Sequence, residues 1–424
     1  MNALRWLSAH GSMKAERIPL DELTGWRRDP GTGNLVHASG KFFSVEGVDV
    51  RYPDGPVSRW AQPIINQPEV GVLGILMRRL DGVPQLLLQA KHEPGNVNGA
   101  QLSPTVQATR SNYTRVHGGR PVPYLDRFRS PDGRVLSDVR QSEQGSWFYR
   151  KRNRNMVVEI TDDLAPSAGF RWLALDDVLD LLSVPDVVNM DTRTVLSCLP
   201  PSVWGDEYAM SGRSRHDMGE ILSWITQRRS TVEIHVERIP LDRVGGWRRE
   251  RGAIAHETGR YFTVMGVSVT ASDREVGAWT QPMIEPTATG VVAFLLNRFD
   301  GVPHVLVRAR VEPGYADVAE LGPTVQCAPA NHDTPPPYLE EVLGTPPGRV
   351  LFDTMLSEEG GRFHHARNRY LIVETDADHA HPDFRWVSLP QLTELLRHSH
   401  YLNVQARTLI ACLYSVVREM VAAR

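Results

Sequence analysis

The chain has 424 residues, 41% of them hydrophobic and 23% charged, with a net charge of −3. This length predicts roughly two to three domains of an ordinary folded protein, and the interspersed charges exclude a basic stripe that could track a phosphate backbone, so nucleic acid is not an expected partner. Three cysteines without a Cys-x-x-Cys spacing exclude a disulfide framework or a zinc knuckle and fit a reducing cytoplasm.

A short helical lead around Trp6 opens the chain, followed by Arg17-Ile18-Pro19-Leu20-Asp21 and Gly25-Trp26-Arg27-Arg28. Residues 42–51 alternate with the period of a half-buried strand, and residues 71–79 and 85–90 flank Asp81-Gly82, a hairpin signal. Two long polar, Pro-rich segments, 93–104 and 112–133, exceed ordinary connections, and loops of that length usually carry function. Strands are predicted at 156–160 and 170–174, and helices at 176–182 and 191–199. A linker spans 200–215, after which the series returns. A second helical lead (218–228) precedes Arg238-Ile239-Pro240-Leu241-Asp242 and Gly246-Trp247-Arg248-Arg249. Strands 290–298 and 304–309 flank Asp300-Gly301, strands follow at 371–374 and 384–388, and helices at 390–397 and 405–421 close the chain. One internal duplication therefore organises the molecule into modules at 1–206 and 207–424. Strands in the middle and helices at the end of each predict an α/β (α+β) unit, a mixed sheet with flanking helices. The apolar runs 71–77 and 290–296 are far shorter than the ~20 residues that span a bilayer, and the start lacks a signal-peptide pattern, so a soluble, unexported protein is expected.

Several chemistries are excluded. There is no Gly-x-Gly-x-x-Gly after a strand, no P-loop, no His-Glu-x-x-His and no Gly-x-Ser-x-Gly, so neither a dinucleotide cofactor nor a catalytic zinc is expected. Repeated constellations remain. Trp60 and Trp279, each just ahead of Gln-Pro, suit a platform for a flat ring, or the filling of a core. Arg152-Asn153 and Arg367-Asn368 suit a pyrophosphate, or a surface ion pair. Thr105 with Gln107, and Thr324 with Gln326, share a strand face and fit sugar hydroxyls or a base edge, or else a satisfied buried network. Glu93-Pro94-Gly95 and Glu312-Pro313-Gly314 read as strand-end turns in which Pro fixes φ and Gly can take a positive one, with Glu93 a candidate to clamp a hydroxyl. The halves then diverge. Lys91-His92, Asn112-Tyr113, His117 and Tyr149-Arg150-Lys151 stand where the second half has Arg310-Val311, Asn331-His332 and His364-His365-Ala366. Ammonium, phenol and imidazole together predict chemistry in the first repeat; a solvated charge cluster is the alternative.

The strings Gln89-Ala90-Lys91-His92-Glu93-Pro94-Gly95-Asn96 and Gln101-Leu102-Ser103-Pro104-Thr105-Val106-Gln107-Ala108-Thr109-Arg110-Ser111-Asn112-Tyr113, with Gly360-Gly361-Arg362-Phe363 and Asn368-Arg369-Tyr370, resemble the NDP-hexose 2,3-dehydratase family over nearly the whole chain. The resemblance implies a homodimer whose subunit holds two tandem Nudix-like modules. It also implies a substrate, dTDP-4-keto-6-deoxy-D-glucose, which loses its C2 hydroxyl to give a dTDP-3,4-diketo-2,6-dideoxyhexose that a downstream 3-ketoreductase would consume. The Nudix box Gly-x5-Glu-x7-Arg-Glu is missing from both halves, as an enzyme that spares the pyrophosphate would require; no metal and no redox cofactor are expected. The reaction needs a base at C3, a donor near O4 and an acid for the C2 oxygen. Lys91, Tyr113 and His117 are assigned these roles, with Glu143 or Tyr149 in reserve. Substrate binding is assigned to Trp60, Glu93, Thr105, Gln107, Asn112, Lys151, Arg152 and Asn153, and a second nucleotide-sugar pocket to Trp279, Thr324, Gln326, Arg367 and Asn368. A nucleotide-sugar hydrolase on the same scaffold and a non-catalytic nucleotide-sugar binding protein are the alternatives.

Overall fold

The computed structural model describes residues 3–109, 121–204, 212–272 and 276–422. The boundary expected near residue 206, and with it Asn112, Tyr113 and His117, lies outside the described residues.

Each repeat contributes one seven-stranded mixed sheet among the described residues. In the first, the order is Arg134–Ser142, Arg152–Glu159, Gly71–Leu80, Val83–Lys91, Phe170–Ala174, with the short strands Gln101–Ser103 and Val106–Ala108 paired to the two central ones. Only Arg152–Glu159 and Gly71–Leu80 run parallel. The second repeat reproduces this with Val350–Ser357, Arg367–Glu374, Gly290–Phe299, Val302–Arg310 and Phe384–Ser388. The expected hairpins close as read: Asp81 and Gly82 have φ of 51° and 82°, and Asp300 and Gly301 of 51° and 79°, the two positive values of a tight two-residue turn. The strands and helices of the duplication fall within a few residues of their predicted limits.

The halves are not laid side by side. Two smaller antiparallel sheets of five strands are each completed by the other repeat: Met13–Ile18 pairs with Phe262–Ala271, and His235–Ile239 pairs with Ser44–Arg51. The recurring Arg-Ile-Pro-Leu-Asp segment is thus the end of the exchanged strand and the turn that follows it. One apolar core runs through both repeats, joining Val157 and Val195 to Ile372 and Leu409. Inside it the helices Met190–Ser197 and Val404–Ala422 cross, each presenting an arginine buried to 0% exposure. Arg407 donates to the Thr194 hydroxyl (2.6 Å) and to the carbonyls of Leu402 (2.7 Å) and Ser142 (2.5 Å). Arg193 reciprocates on the carbonyls of Val188 and Ser357. Two cations can sit in this interior because backbone oxygens satisfy their N–H groups.

The Glu-Pro-Gly turns serve the same interlock. The Gly95 N–H donates to the Gly360 carbonyl (2.7 Å), and a Cβ on Gly95 would stand 1.8 Å from the Phe363 carbonyl oxygen. Gly314 repeats both contacts with Gly145 (2.7 Å) and Phe148 (1.7 Å). Neither glycine has a positive φ. The expected left-handed turn is therefore replaced by close backbone approach, for which only a missing side chain leaves room.

Candidate functional site

The exchange places a cavity of about 490 Å³ on the first repeat's sheet and walls it with the second repeat. Strand ends supply its floor: Lys91 closes Val83–Lys91, Gln107 lies on Val106–Ala108, Glu143 follows Arg134–Ser142, and Asp191 sits in the first turn of Met190–Ser197. Strand alternation turns Lys151 and Asn153 into the cavity, and Arg152 between them to the other face. The second repeat adds Trp279, Thr280, Gln281, Glu359 and Arg362. One part of the lining is buried and ionisable (Glu93, Glu143, Lys151, Asp191), while another is half-buried and aromatic or cationic (Trp26, Trp279, Arg362). Sites for flat, charged ligands combine these two kinds of surface.

The buried groups are fixed by hydrogen bonds. Asn153 donates Nδ2 to Glu143 Oε1 (2.7 Å) and accepts from the Gly71 N–H (3.0 Å). Gln107 donates to Glu93 Oε1 (2.8 Å), and its Oε1 accepts from Ser103 (2.8 Å) and from Asn189 (3.3 Å), the residue whose side chain also caps the helix bearing Asp191. Lys151 donates to the Glu69 carbonyl, and Lys91 to that of Gln107 (3.3 Å). Three carboxyl oxygens of the cavity have no hydrogen-bond partner among the described residues: Glu143 Oε2, Asp191 Oδ1 and Glu359 Oε2.

These surroundings shift the titration of the cluster. Burial pushes the Lys151 ammonium down to about 8, against Glu143, which holds it up. Burial raises the Glu359 carboxyl to about 7, with Glu93 adding to the rise. Glu143 is raised by burial and restrained by Arg407, Asn153 and Lys151. Asp191 is pushed furthest, by burial and then by the charges of Glu143, Glu93 and Glu359. Its place in the first helical turn favours ionisation by up to about 2 kcal/mol. Burying an ion costs several kcal/mol, so burial outweighs the helix terminus and the carboxyl is raised. Several strongly perturbed groups in one cavity are a signature of a chemical site.

Other residues assigned from sequence lie elsewhere. Thr105 accepts from the Leu76 N–H (2.9 Å) and donates to the Leu87 carbonyl, and Thr324 does the same with Leu295 (3.0 Å) and Leu306, so both hydroxyls tie adjacent strands together. Arg367 forms an ion pair with Asp186 of the first repeat at 2.6 Å. Tyr149 packs with Val48, Val50 and Ile64, its ring 5.6 Å from the Arg238 guanidinium carbon. Trp60 borders a separate, open depression with Asp49, Arg59 and Arg243, whereas Trp279 lines the first repeat's cavity. Gln326 and Asn368 reproduce the Gln107 and Asn153 networks, donating to Glu312 (3.1 Å) and Glu358 (2.6 Å). There Arg310 pairs with Glu312 at 2.6 Å, in the position of Lys91.

Asp191, Glu359 and Arg362 escaped the reading of the sequence as site residues. The signal for Asp191 was present. Asn189-Met190-Asp191-Thr192-Arg193 aligns with Asn403-Val404-Gln405-Ala406-Arg407, so a carboxyl faces an amide across the duplication. Glu359 and Arg362 could not be assigned without knowing that the second repeat walls the first repeat's site.

The NDP-hexose 2,3-dehydratase family model matches twice, over residues 2–199 and 218–413. A dTDP-4-dehydro-6-deoxy-alpha-D-glucopyranose 2,3-dehydratase of Saccharopolyspora spinosa is 51% identical over 439 residues, covering 97% of this chain and 90% of that protein. Enzymes of the same name from Amycolatopsis orientalis (50% identical; 94% of this chain, 86% of that protein) and Streptomyces violaceoruber (50%; 96% and 95%) match as fully. With two matches that between them span both repeats, and half of all positions identical to enzymes of one activity, the chain belongs to the NDP-hexose 2,3-dehydratase family.

Proposed function

We propose that the chain removes water from dTDP-4-keto-6-deoxy-D-glucose, giving a dTDP-3,4-diketo-2,6-dideoxyhexose. Near-full-length identity of about half to relatives named for this substrate carries the reading, and the buried ammonium and carboxyl groups of the cavity supply the chemistry it needs.

The C4 ketone acidifies the C3 proton because the resulting enolate places its charge on O4. Glu143, held by Asn153 with its second oxygen unengaged, is positioned as the base. Lys151, an ammonium below about pH 8, and Lys91 are the donors to O4. Expulsion of the C2 oxygen as water leaves a C2=C3 enol, which gains a proton at C2 and loses one from the C3 hydroxyl to become the second ketone. C3 is oxidised as C2 is reduced, so the atoms balance without an external redox partner. Trp279 and Arg362 face the same cavity and suit the thymine ring and the pyrophosphate. The Nudix-like ancestry of each module, homodimer assembly and a downstream 3-ketoreductase that draws off a reactive diketone belong to the same reading.

The test is incubation with dTDP-4-keto-6-deoxyglucose before and after exhaustive chelation. A dTDP-linked diketone formed at equal rate in both samples is expected. Release of dTMP, or activity restored to a chelated sample by Mg²⁺ or Mn²⁺, would favour the hydrolase; no turnover with tight dTDP binding would favour a binding protein.

A further inference from the structure

The duplication provides an internal control for which cavity carboxyls serve architecture and which serve chemistry. Glu93 and Glu143 have counterparts, Glu312 and Glu358, held by the same amides: Gln107 and Gln326 for one pair, Asn153 and Asn368 for the other. Both asparagine N-caps are also kept, Asn189 bonding the Thr192 N–H (2.8 Å) and Asn403 the Ala406 N–H (2.9 Å). Within that shared frame the charged lining residues of the first repeat that differ from their counterparts are Asp191, matched by Gln405, Lys151, matched by Ala366, and Lys91, matched by Arg310. The helix turn bearing Asp191 is thus capped alike in both halves and keeps its buried arginine, while the cavity-lining carboxyl is matched by an amide. Asp191 is 4% exposed, lines the cavity, and its Oδ1 has no hydrogen-bond partner among the described residues.

We propose that Asp191 is the catalytic acid that protonates the C2 oxygen as it departs, an assignment that rests on the dehydratase reading. Hydroxide is a poor leaving group, so the C2–O bond breaks with transfer of the Asp191 proton to that oxygen. The electron pair released from the C3–H bond becomes the C2=C3 bond, water leaves, and Asp191 is left as a carboxylate that regains its proton when the enol tautomerises. Burial and three neighbouring carboxyls raise Asp191 well above the usual carboxylate range, which favours the protonated form that an acid needs. Glu143 has an amide donor and a nearby ammonium to stabilise its charged form. Burial raises both carboxyls, Asp191 further than Glu143, and this difference in their surroundings suits Asp191 to the acid role and Glu143 to the base role.

The experiment compares wild type with Asp191→Asn, isosteric but without the acidic proton, and with Asp191→Gln, which installs the side chain that the fold accepts at 405. Three quantities are read on each: diketone formation, exchange of the C3 proton in deuterated solvent, and dTDP affinity, with folding checked by thermal melting. Diketone formation should fall by roughly a hundredfold or more, while C3 exchange and dTDP binding persist, because base and binding groups are untouched. Diketone formation near the wild-type rate in either folded variant would overturn the assignment. So would loss of C3 exchange together with elimination in a variant that melts normally and binds dTDP, which would make Asp191 the base. A wild-type enzyme that forms no diketone would overturn the dehydratase reading itself and this assignment with it.

Discussion

Lys151 illustrates how a single side chain takes its character from its neighbours. Its counterpart is Ala366, so the fold does not need a lysine there, yet this one is 5% exposed and burial brings it down to about 8. If its ammonium polarises O4, the active form is the one below that value, and kcat/KM should fall as pH rises through about 8. Lys151→Arg, which stays protonated, should move that limb to higher pH even if it lowers the maximum rate. A pH–rate profile of the two proteins checks this; an alkaline limb unmoved by the substitution would assign the titration elsewhere. Residue identities in this site were partly legible in sequence. Lys91, Glu93, Gln107, Glu143, Lys151 and Asn153 line the cavity, whereas Thr105 and Thr324 share the strand pattern of ligand-binding residues and spend their hydroxyls on backbone. A motif retained in both halves marks a shared local environment, and a buried strand junction is as stringent an environment as a ligand.

At the level of elements, the turns and crossing helices do the joining. Gly95 is seated against the 360–363 backbone, so Gly95→Ala must displace a carbonyl, whereas Gly348 has open space around its missing Cβ and an ordinary φ. Gly95→Ala should lower the melting temperature by about 5 °C or more and Gly348→Ala should leave it nearly unchanged. Equal melting of the two variants would remove the interlock from the account. The buried arginines extend the same logic to the site: Arg407 of the second repeat holds the Ser142 carbonyl, one residue ahead of Glu143, and Arg193 of the first holds that of Ser357, two residues ahead of Glu359.

For the whole molecule, the exchanged strands and the shared core make each half incomplete. Residues 1–206 expressed alone would lack the His235–Ile239 strand and the Trp279, Glu359 and Arg362 wall, and would leave Arg193 without its Ser357 partner. They should therefore neither melt cooperatively nor form diketone, and co-expression with residues 207–424 should restore both; a cooperative, active first half would refute this. Sequence alone determined the duplication, the hairpins, the helix ends and the family resemblance, because these depend on local periodicity, turn chemistry and recurring motifs that lie within a few residues of one another. It could not decide which half supplies which wall. Strand pairing across more than two hundred residues, such as Met13↔Ala271, leaves the same alternation in sequence whether the partner is near or far. Only the tertiary structure brings Trp279, Glu359 and Arg362 to the strand ends of the first repeat.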